Sequence, residues 1–136
     1  MKRLPLDKYK LVMKSVPMLC VDLIVEFEGK FLLLRRTETP LKGRLWPPGG
    51  RVMKGESIKN AVRRKLLEET GLTAGSTKFT GFFEKTFYEG HGISNYHSVS
   101  LVFHVKPTNS KVVLDKTSTE YEWVDKLPDQ FTIQSV

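Results

Sequence analysis

The sequence predicts an α+β fold in which strands dominate and one helix lies in the middle. Segments with apolar residues at every second position recur along the 136 residues, whereas one segment repeats them every three to four. Strands and helices do not alternate regularly, which argues against a doubly wound parallel sheet. The length of the chain and its lack of linkers favour a single domain over 1–136.

The first two predicted strands form a hairpin. The first spans 18–27, where five apolar residues share one face: Leu19, Val21, Leu23, Val25 and Phe27. Glu28-Gly29-Lys30 supplies a tight turn, and the chain returns as a strand over 31–36. Pro40 and Gly43 then predict a loop over 37–44.

The helix is predicted over 56–70. Its apolar stripe has the period of an α-helix and consists of Ile58, Ala61, Val62, Leu66 and a following Leu67 or Thr70. Gly71 is expected to end the helix, because glycine readily adopts the left-handed conformation of that position.

Three more strands complete the prediction. They span 77–88, 96–105 and 121–124, and Gly90-His91-Gly92 marks the turn between the first two. A turn of helix is expected in the segment after Pro128. Trp46 and Trp123 are expected in the core or in the wall of a site.

The composition indicates a soluble protein of a reducing compartment. A single cysteine, Cys20, excludes an internal disulfide framework and a multi-cysteine zinc site. Apolar runs reach four or five residues, far below the ~18 that cross a bilayer. Lys2 and Arg3 are not followed by the apolar segment of a signal peptide. We therefore expect a cytoplasmic protein without a membrane partner.

Positive charge is concentrated in the middle of the chain. The formal net charge is +7, and residues 30–65 carry eleven basic residues against two acidic ones, a net charge of +9. Such a field steers anions toward a site, although a solvated basic surface is equally compatible. A nucleic-acid partner is disfavoured because no basic strand carries interleaved aromatic residues.

Paired carboxylates on the predicted helix suggest a metal site. Glu68 and Glu69 are adjacent, and Arg64 precedes Glu68 by four residues, so Arg64 and Glu68 share one side of the helix. Carboxylate and carbonyl oxygens are the ligands that a hard cation such as Mg²⁺ prefers. The alternative is an exposed helix face with ion pairs between residues four apart.

The spacing around these residues resembles the Nudix box of the Nudix hydrolase family. Its fixed positions, separated by five and then seven residues before the final cluster, are Gly50, Glu56, Arg64, Leu66, Glu68, Glu69, Gly71 and Leu72. Lys65 stands where the family pattern has Glu. A lysine is normally protonated, so it neither binds a metal nor acts as a base.

The resemblance implies an α/β/α sandwich around a mixed sheet, with the box forming a loop–helix–loop. It implies hydrolysis of nucleoside diphosphate derivatives with Mg²⁺ or Mn²⁺. Glu68, Glu69 and the carbonyl of Gly50 would be metal ligands. Arg64 would orient the carboxylates, and Glu56 would support the start of the helix.

A second resemblance covers about the first seventy residues and involves the GDP-mannose mannosyl hydrolase branch of the family. It is carried by 9–15, 17–25, 31–33, Arg36, Pro40, Gly43, Trp46 and 48–52, with fainter similarity at 97–103 and 121–123. That branch lacks the same Glu and attacks the sugar carbon, releasing GDP and sugar. Implied substrate contacts are Tyr9, Asp22, Arg36 and Arg51, with support of a homodimer as the alternative for Tyr9.

The general base stays open. The branch has a Gln-His pair before its last strand, whereas Thr117 and Ser118 stand at those positions here. Possible substitutes are Glu120, His97 and His91. With the base unassigned, three functions remain: hydrolysis of a nucleoside diphosphate sugar such as GDP-mannose, pyrophosphohydrolysis at phosphorus of another nucleotide, and a catalytically silent nucleotide-binding module.

Overall fold

The computed structural model describes residues 4–38, 41–90, 93–131 and 133, and of residues 87–90 it describes the backbone. Two helices and seven strands lie in these ranges. In chain order they are α1 (Leu6–Ser15), β1 (Met18–Phe27), β2 (Lys30–Arg36), β3 (Leu45–Trp46), β4 (Gly49–Arg51), α2 (Ile58–Thr70), β5 (Ala74–Gly90), β6 (Ile93–Pro107) and β7 (Ser118–Val124). None of the described helices is long and apolar enough to cross a membrane.

The strands form one mixed sheet with β1 at its centre. The main order is β3-β2-β1-β6-β5, and β4 and β7 pair with β1 and β2. β1 and β6 are parallel over eight residue pairs, from Met18 opposite Ser98 to Val25 opposite Val105. The other pairs are antiparallel. This arrangement confirms the predicted α+β class and mixed sheet.

Both faces of β1 are covered, because its successive side chains point to opposite faces. The face of Val21, Leu23 and Val25 packs with the apolar stripe of α2. The opposite face packs at one end with Met13 of α1, and at the other end with an aromatic cluster around Phe131. The helices therefore lie on opposite sides of the sheet, as in the predicted α/β/α sandwich.

The ends of the hairpin and of α2 follow local rules. Glu28 and Gly29 both have positive φ, 51° and 79°, which is the backbone of the turn that matches the twist of a hairpin. The Ser57 hydroxyl accepts from the N–H of Asn60, so α2 begins after Ser57 rather than at residue 56. Gly71, with φ 71°, ends the helix as predicted.

Some expectations differ from the structure. The stripe of α2 ends on buried Thr70, whereas Leu67 is exposed. Residues 128–131 form a hydrogen-bonded turn rather than a helix, in which the N–H of Phe131 donates to the carbonyl of Pro128; residues 132 and 134–136 lie outside the described residues. Helix α1 and the short strands β3 and β4 were not predicted. Pro40 and the centre of the predicted turn at 90–92 lie outside the described residues.

Candidate active site

A cavity of about 800 Å³ lies between α1, the central sheet and the N-terminal loop of the Nudix-like box. Its apolar wall includes Met13 of α1 and two residues of the Phe131 cluster, Trp46 and Phe83. The four predicted substrate contacts line it together with two of the three predicted metal ligands and the unusual lysine: Tyr9, Asp22, Arg36, Arg51, Gly50, Glu69 and Lys65. The third predicted ligand, Glu68, is not among the lining residues. Residues far apart in the sequence thus meet in one basin.

Glu69 is built into the floor of the site. The N–H of Gly49 donates to its Oε1 at 2.9 Å, and the Thr117 hydroxyl donates to its Oε2 at 3.2 Å. Only 7% of the residue is exposed. Burial raises the pKa of Glu69, against the ammonium of Lys65, which lowers it. The expectation of an exposed Glu69 is therefore wrong, because this side of α2 packs against β4.

Arg64 links the two ends of the box. Its Nε donates to Glu56 Oε2 at 2.7 Å, and its Nη2 donates to Glu56 Oε1 at 3.0 Å and to the carbonyl of Arg51 at 2.8 Å. Its Nη1 reaches both oxygens of Glu68, at 3.2 and 3.3 Å. The Glu56 side chain is 4% exposed, and hydrogen bonding from Arg64 lowers the pKa of Glu56. Glu56 thus fixes Arg64, which in turn orients Glu68.

Lys65 points into the site rather than into solvent. Its Nζ lies 3.3 Å from Glu68 Oε2 and 3.7 Å from Glu69 Oε2, and its side chain is 12% exposed. The lysine stem lies over Gly50, because a Cβ at Gly50 would sit 2.3 Å from Lys65 Cε. The ion pair with Glu69 is therefore largely buried, not the exposed helix pair expected from the spacing.

Asp22, which is 9% exposed, lines the same cavity close to Glu69: its Oδ1 would lie 2.6 Å from a Cβ at Gly49, the residue whose N–H donates to Glu69. Burial raises the pKa of Asp22 to about 6, although a hydrogen bond to Ser100 and the charge of Arg36 oppose this. The guanidinium carbon of Arg51 stands 4.3 Å from the ring centroid of Tyr9, a cation–π contact that holds Arg51 against α1. The cavity therefore offers a carboxylate and two guanidinium groups to a ligand.

Two of the three substitutes suggested for the general base, Glu120 and His97, are not brought to the cavity. Glu120 forms an exposed ion pair with Arg35. His97 alternates along β6 with Tyr96 and Ser98, which line the cavity, so it faces the other side of the sheet. His91 lies outside the described residues.

Two neighbours of Glu69 were missed or undervalued by the sequence. Thr117 reaches Glu69 directly, although only its mismatch with the branch was noted. Asp115, two residues earlier, accepts from the N–H of Thr117 at 2.9 Å and also accepts from its hydroxyl. Aspartate often forms a local turn by accepting a hydrogen bond from the backbone N–H two residues later. The spacing of Asp115 and Thr117 could therefore have drawn attention to Asp115. Trp46 is buried in the Phe131 cluster and also lines the cavity.

The donor chemistry fits a hard divalent cation. Glu68 and Glu69 supply carboxylate oxygens on one helix, and Gly50 supplies a nearby carbonyl. No group of three or more His, Cys, Asp or Glu side chains is arranged for a metal within the described ranges. Mg²⁺ is commonly held by one or two carboxylates, with water and phosphate oxygens completing its shell. Two carboxylates are therefore sufficient for such an ion.

Fold and site together define a class of hydrolase in which a loop–helix–loop carries two adjacent carboxylates, of which Glu69 lines a cavity that also holds Arg36 and Arg51. The model of the NUDIX domain matches residues 16–127, and the chain belongs to the Nudix hydrolase family. This match confirms the resemblance on which the fold and the enzyme class were predicted.

Similar proteins agree with this assignment. The low-salt glycan biosynthesis protein Agl8 of Haloferax volcanii is 32% identical over 83% of this chain and 74% of that protein. The ADP-ribose pyrophosphatase of Methanocaldococcus jannaschii is 32% identical over 91% of this chain and 70% of that protein. The crystal structure of a MutT Nudix hydrolase from Burkholderia pseudomallei superposes with a TM-score of 0.74, covering 87% of this chain and 92% of that one. At 22% identity the last comparison shows the fold alone.

Proposed function

We propose that this Nudix hydrolase cleaves a nucleoside diphosphate sugar, of which GDP-mannose is the model, to nucleoside diphosphate and sugar. The observation that carries the proposal is the shared cavity. It brings Arg36 and Arg51, two donors for a diphosphate, into one basin with the carboxylates of Asp22 and Glu69. A ligand that carries both phosphate and hydroxyl groups matches this set of side chains.

Nudix hydrolases generally depend on a divalent metal ion. We assign Mg²⁺ or Mn²⁺ to Glu68, Glu69 and the carbonyl of Gly50. When bound, the ion supplies positive charge to the phosphate oxygens of the leaving nucleoside diphosphate. Arg64 and Glu56 keep the carboxylate of Glu68 in place through the contacts described above. These two residues act on the ligand side chain, not on the substrate.

The guanidinium groups bind and orient the diphosphate. Arg36 and Arg51 both line the cavity, and charge-assisted hydrogen bonds to phosphate are among the strongest in proteins. Contact with the ring of Tyr9 limits the freedom of the Arg51 side chain, so less conformational entropy is lost when phosphate binds. Tyr9 also lines the cavity, where the nucleoside would lie.

Asp22 is the group we assign to the sugar. A buried carboxylate accepts hydrogen bonds from hydroxyl groups, and a ligand hydroxyl would compensate its lost hydration. Above pH about 6 the carboxylate is ionised, which favours this role near neutrality. When water attacks the sugar carbon, the bond between that carbon and the diphosphate oxygen breaks, the diphosphate leaves bound to Arg36 and Arg51, and the proton of the water passes to solvent.

Pyrophosphohydrolysis is the second candidate. The relative from Methanocaldococcus jannaschii is named an ADP-ribose pyrophosphatase, and the similarity covers 91% of this chain. The name of the relative from Haloferax volcanii instead refers to glycan biosynthesis. Both names are compatible with a sugar attached to a nucleoside diphosphate, and they differ in which bond is broken.

Products formed in ¹⁸O water from a panel of nucleotide sugars with Mg²⁺ or Mn²⁺ test the proposal. We expect nucleoside diphosphate together with sugar that carries the label. Sugar phosphate plus nucleoside monophosphate, with the label in phosphate, would establish the second candidate instead. No turnover on any substrate, followed by a gain in Lys65→Glu, would establish a silent nucleotide-binding module. Single-domain organisation, the homodimer and the cytoplasmic location stay predictions.

A further inference from the structure

The ammonium of Lys65 occupies the space between the two carboxylates of the site. Lys65 lies three residues before Glu68 and four before Glu69, so one lysine reaches both along the same side of α2. Its Nζ is 3.3 Å from Glu68 Oε2 and 3.7 Å from Glu69 Oε2. A positive charge thus stands beside one oxygen of each proposed metal ligand.

Gly50 fixes the path of this lysine. A Cβ at Gly50 would lie 2.3 Å from Lys65 Cε, 2.9 Å from Cδ and 3.0 Å from Nζ, so the whole end of the side chain rests on the glycine backbone. The third proposed ligand, the carbonyl of Gly50, belongs to the same residue. The lysine therefore contacts two of the proposed ligands, Glu68 and Glu69, and rests on the backbone of the residue that supplies the third.

Burial keeps the ammonium in this place. The Lys65 side chain is 12% exposed and that of Glu69 is 9% exposed, so water screens their attraction little. Glu68 is more open, at 36% exposed, and shares its charge with Arg64 as well. A charge pair of this kind differs from an exposed helix pair, which solvent and side-chain freedom weaken.

We propose that the Lys65 ammonium is a built-in cation that takes the place of one divalent ion between Glu68 and Glu69. The inference rests on the proposed function only in taking these two carboxylates as metal ligands. Its consequence is a site that binds one divalent ion fewer than the same chain without this charge. Since Lys65 lines the cavity, the same ammonium is also available to a phosphate oxygen.

Mn²⁺ binding in the absence of substrate tests the proposal. The loss of free Mn²⁺ signal in electron paramagnetic resonance gives the number of ions bound by wild type, Lys65→Gln and the control Lys59→Gln. Lys59 is an exposed lysine of the same helix, so its variant loses an equal charge away from the site. We expect Lys65→Gln to gain one Mn²⁺ per chain, or about tenfold tighter binding at this position, and Lys59→Gln to match wild type.

The melting temperature provides a second test, because the Lys65 variants are expected to lose stability. In EDTA, Lys65→Gln should melt below wild type because Glu69 has lost its cation, and Mn²⁺ should raise its Tm more than that of wild type. Lys65→Met serves where Lys65→Gln does not fold. Mn²⁺ isotherms and Tm shifts of the Lys65 variants equal to those of Lys59→Gln would overturn the proposal, as would a gain that persists in Lys65→Gln/Glu69→Gln.

The outcomes separate this inference from the proposed function. Wild-type Mn²⁺ binding that is unchanged in Glu69→Gln would remove Glu69 from the metal site, and both proposals would fail together. Binding that depends on Glu69 and is unaffected by Lys65→Gln would overturn the built-in cation alone. Hydrolysis of another substrate class would change the proposed function and leave the Mn²⁺ result as it stands.

Discussion

Two adjacent glycines of β4 provide a stringent test of how the box loop is packed. A Cβ at Gly49 would lie 2.4 Å from the carbonyl oxygen of Val21 and 3.1 Å from the Cα of Asp22, both backbone atoms of β1. A Cβ at Gly50 would meet the end of the Lys65 side chain. The first clash requires a backbone shift, whereas the second requires one flexible side chain to rotate.

The expected losses of stability differ accordingly. Overpacking in a well-packed region costs about 1–3 kcal/mol. In Gly49→Ala the strand must also move away from β1, which weakens the hydrogen bond from the Gly49 N–H to Glu69 by about 1 kcal/mol or more. We therefore expect Gly49→Ala to lose about 2–4 kcal/mol of unfolding free energy, and Gly50→Ala less than about 1 kcal/mol.

Urea unfolding at neutral pH, followed by tryptophan fluorescence, measures both values. For a chain of this size the loss in Gly49→Ala corresponds to a Tm lower by roughly 6–16 °C. Gly50→Ala should lose less than Gly49→Ala, because its clash requires only the end of the Lys65 side chain to move. Equal stability of Gly49→Ala and wild type, or equal losses in the two variants, would refute the packing described for β4 and β1.

Three further predictions concern the cavity. Glu69→Gln should lower turnover by ~10²-fold or more, because a hard cation prefers a charged oxygen. Circular dichroism should show that the variant is folded. A variant that keeps the Mg²⁺-dependent activity of wild type would remove Glu69 from the metal site. Arg36→Ala and Arg51→Ala should each weaken binding of the product nucleotide by about 1.5–3 kcal/mol in calorimetry. Arg63→Ala, which removes an exposed arginine, is the control. Unchanged affinity in both variants would show that the basic stretch is only a solvated surface. Burial raises the pKa of Asp22 to about 6, above its ordinary ~4, so its ionisation lowers stability as the pH rises between these values. Asp22→Asn should therefore be about 2–3 kcal/mol more stable relative to wild type at pH ~8 than at pH ~3, as measured by urea unfolding, and an equal difference at both would contradict the burial effect.

The sequence predicted those elements whose ends are determined by neighbouring residues in the chain. The hairpin turn at Gly29 and the end of α2 at Gly71 both depend on glycines with positive φ, which are visible in the sequence. Helix α1 was missed because its sequence has little apolar periodicity: Met13 is buried, whereas Leu6 and Leu11 are exposed. Such a helix is defined by what it packs against.

The short strands could not be predicted for a related reason. β3 and β4 comprise two and three residues, and Pro47 and Pro48 separate them. Too few residues are present for a period to appear, and their conformation is fixed by pairing with β2 and β1. Since β4 carries the Gly49 N–H that holds Glu69, this tertiary pairing also decides the geometry of the site.

In the candidate site, too, local spacing was predicted from the sequence, whereas features that depend on tertiary packing were not. The fixed spacing of the box predicted which residues meet, and the ion pairs of Arg64 with Glu56 and Glu68 bring them together. The spacing did not predict that Glu68 would be partly open and Glu69 buried. Adjacent residues on a helix point about 100° apart, so the strand that packs on one side of α2 separates their environments.

Charge in the box explains why a lysine can stand where the family pattern has a glutamate. Glu56, Glu68 and Glu69 carry three negative charges, and Arg64 and Lys65 carry two positive ones, which leaves a net charge of −1. One divalent ion brings this set to +1, a sign that attracts a diphosphate. With glutamate at position 65 the same set would carry −3 and would need two divalent ions to reach +1. With the built-in cation, the site therefore reaches with one divalent ion the net charge that a glutamate at position 65 would require two ions to reach.

We expect the rate of hydrolysis to depend on Mg²⁺ concentration to first order in wild type and to a higher order in Lys65→Glu. Equal orders in the two proteins would show that Lys65 does not replace a metal charge.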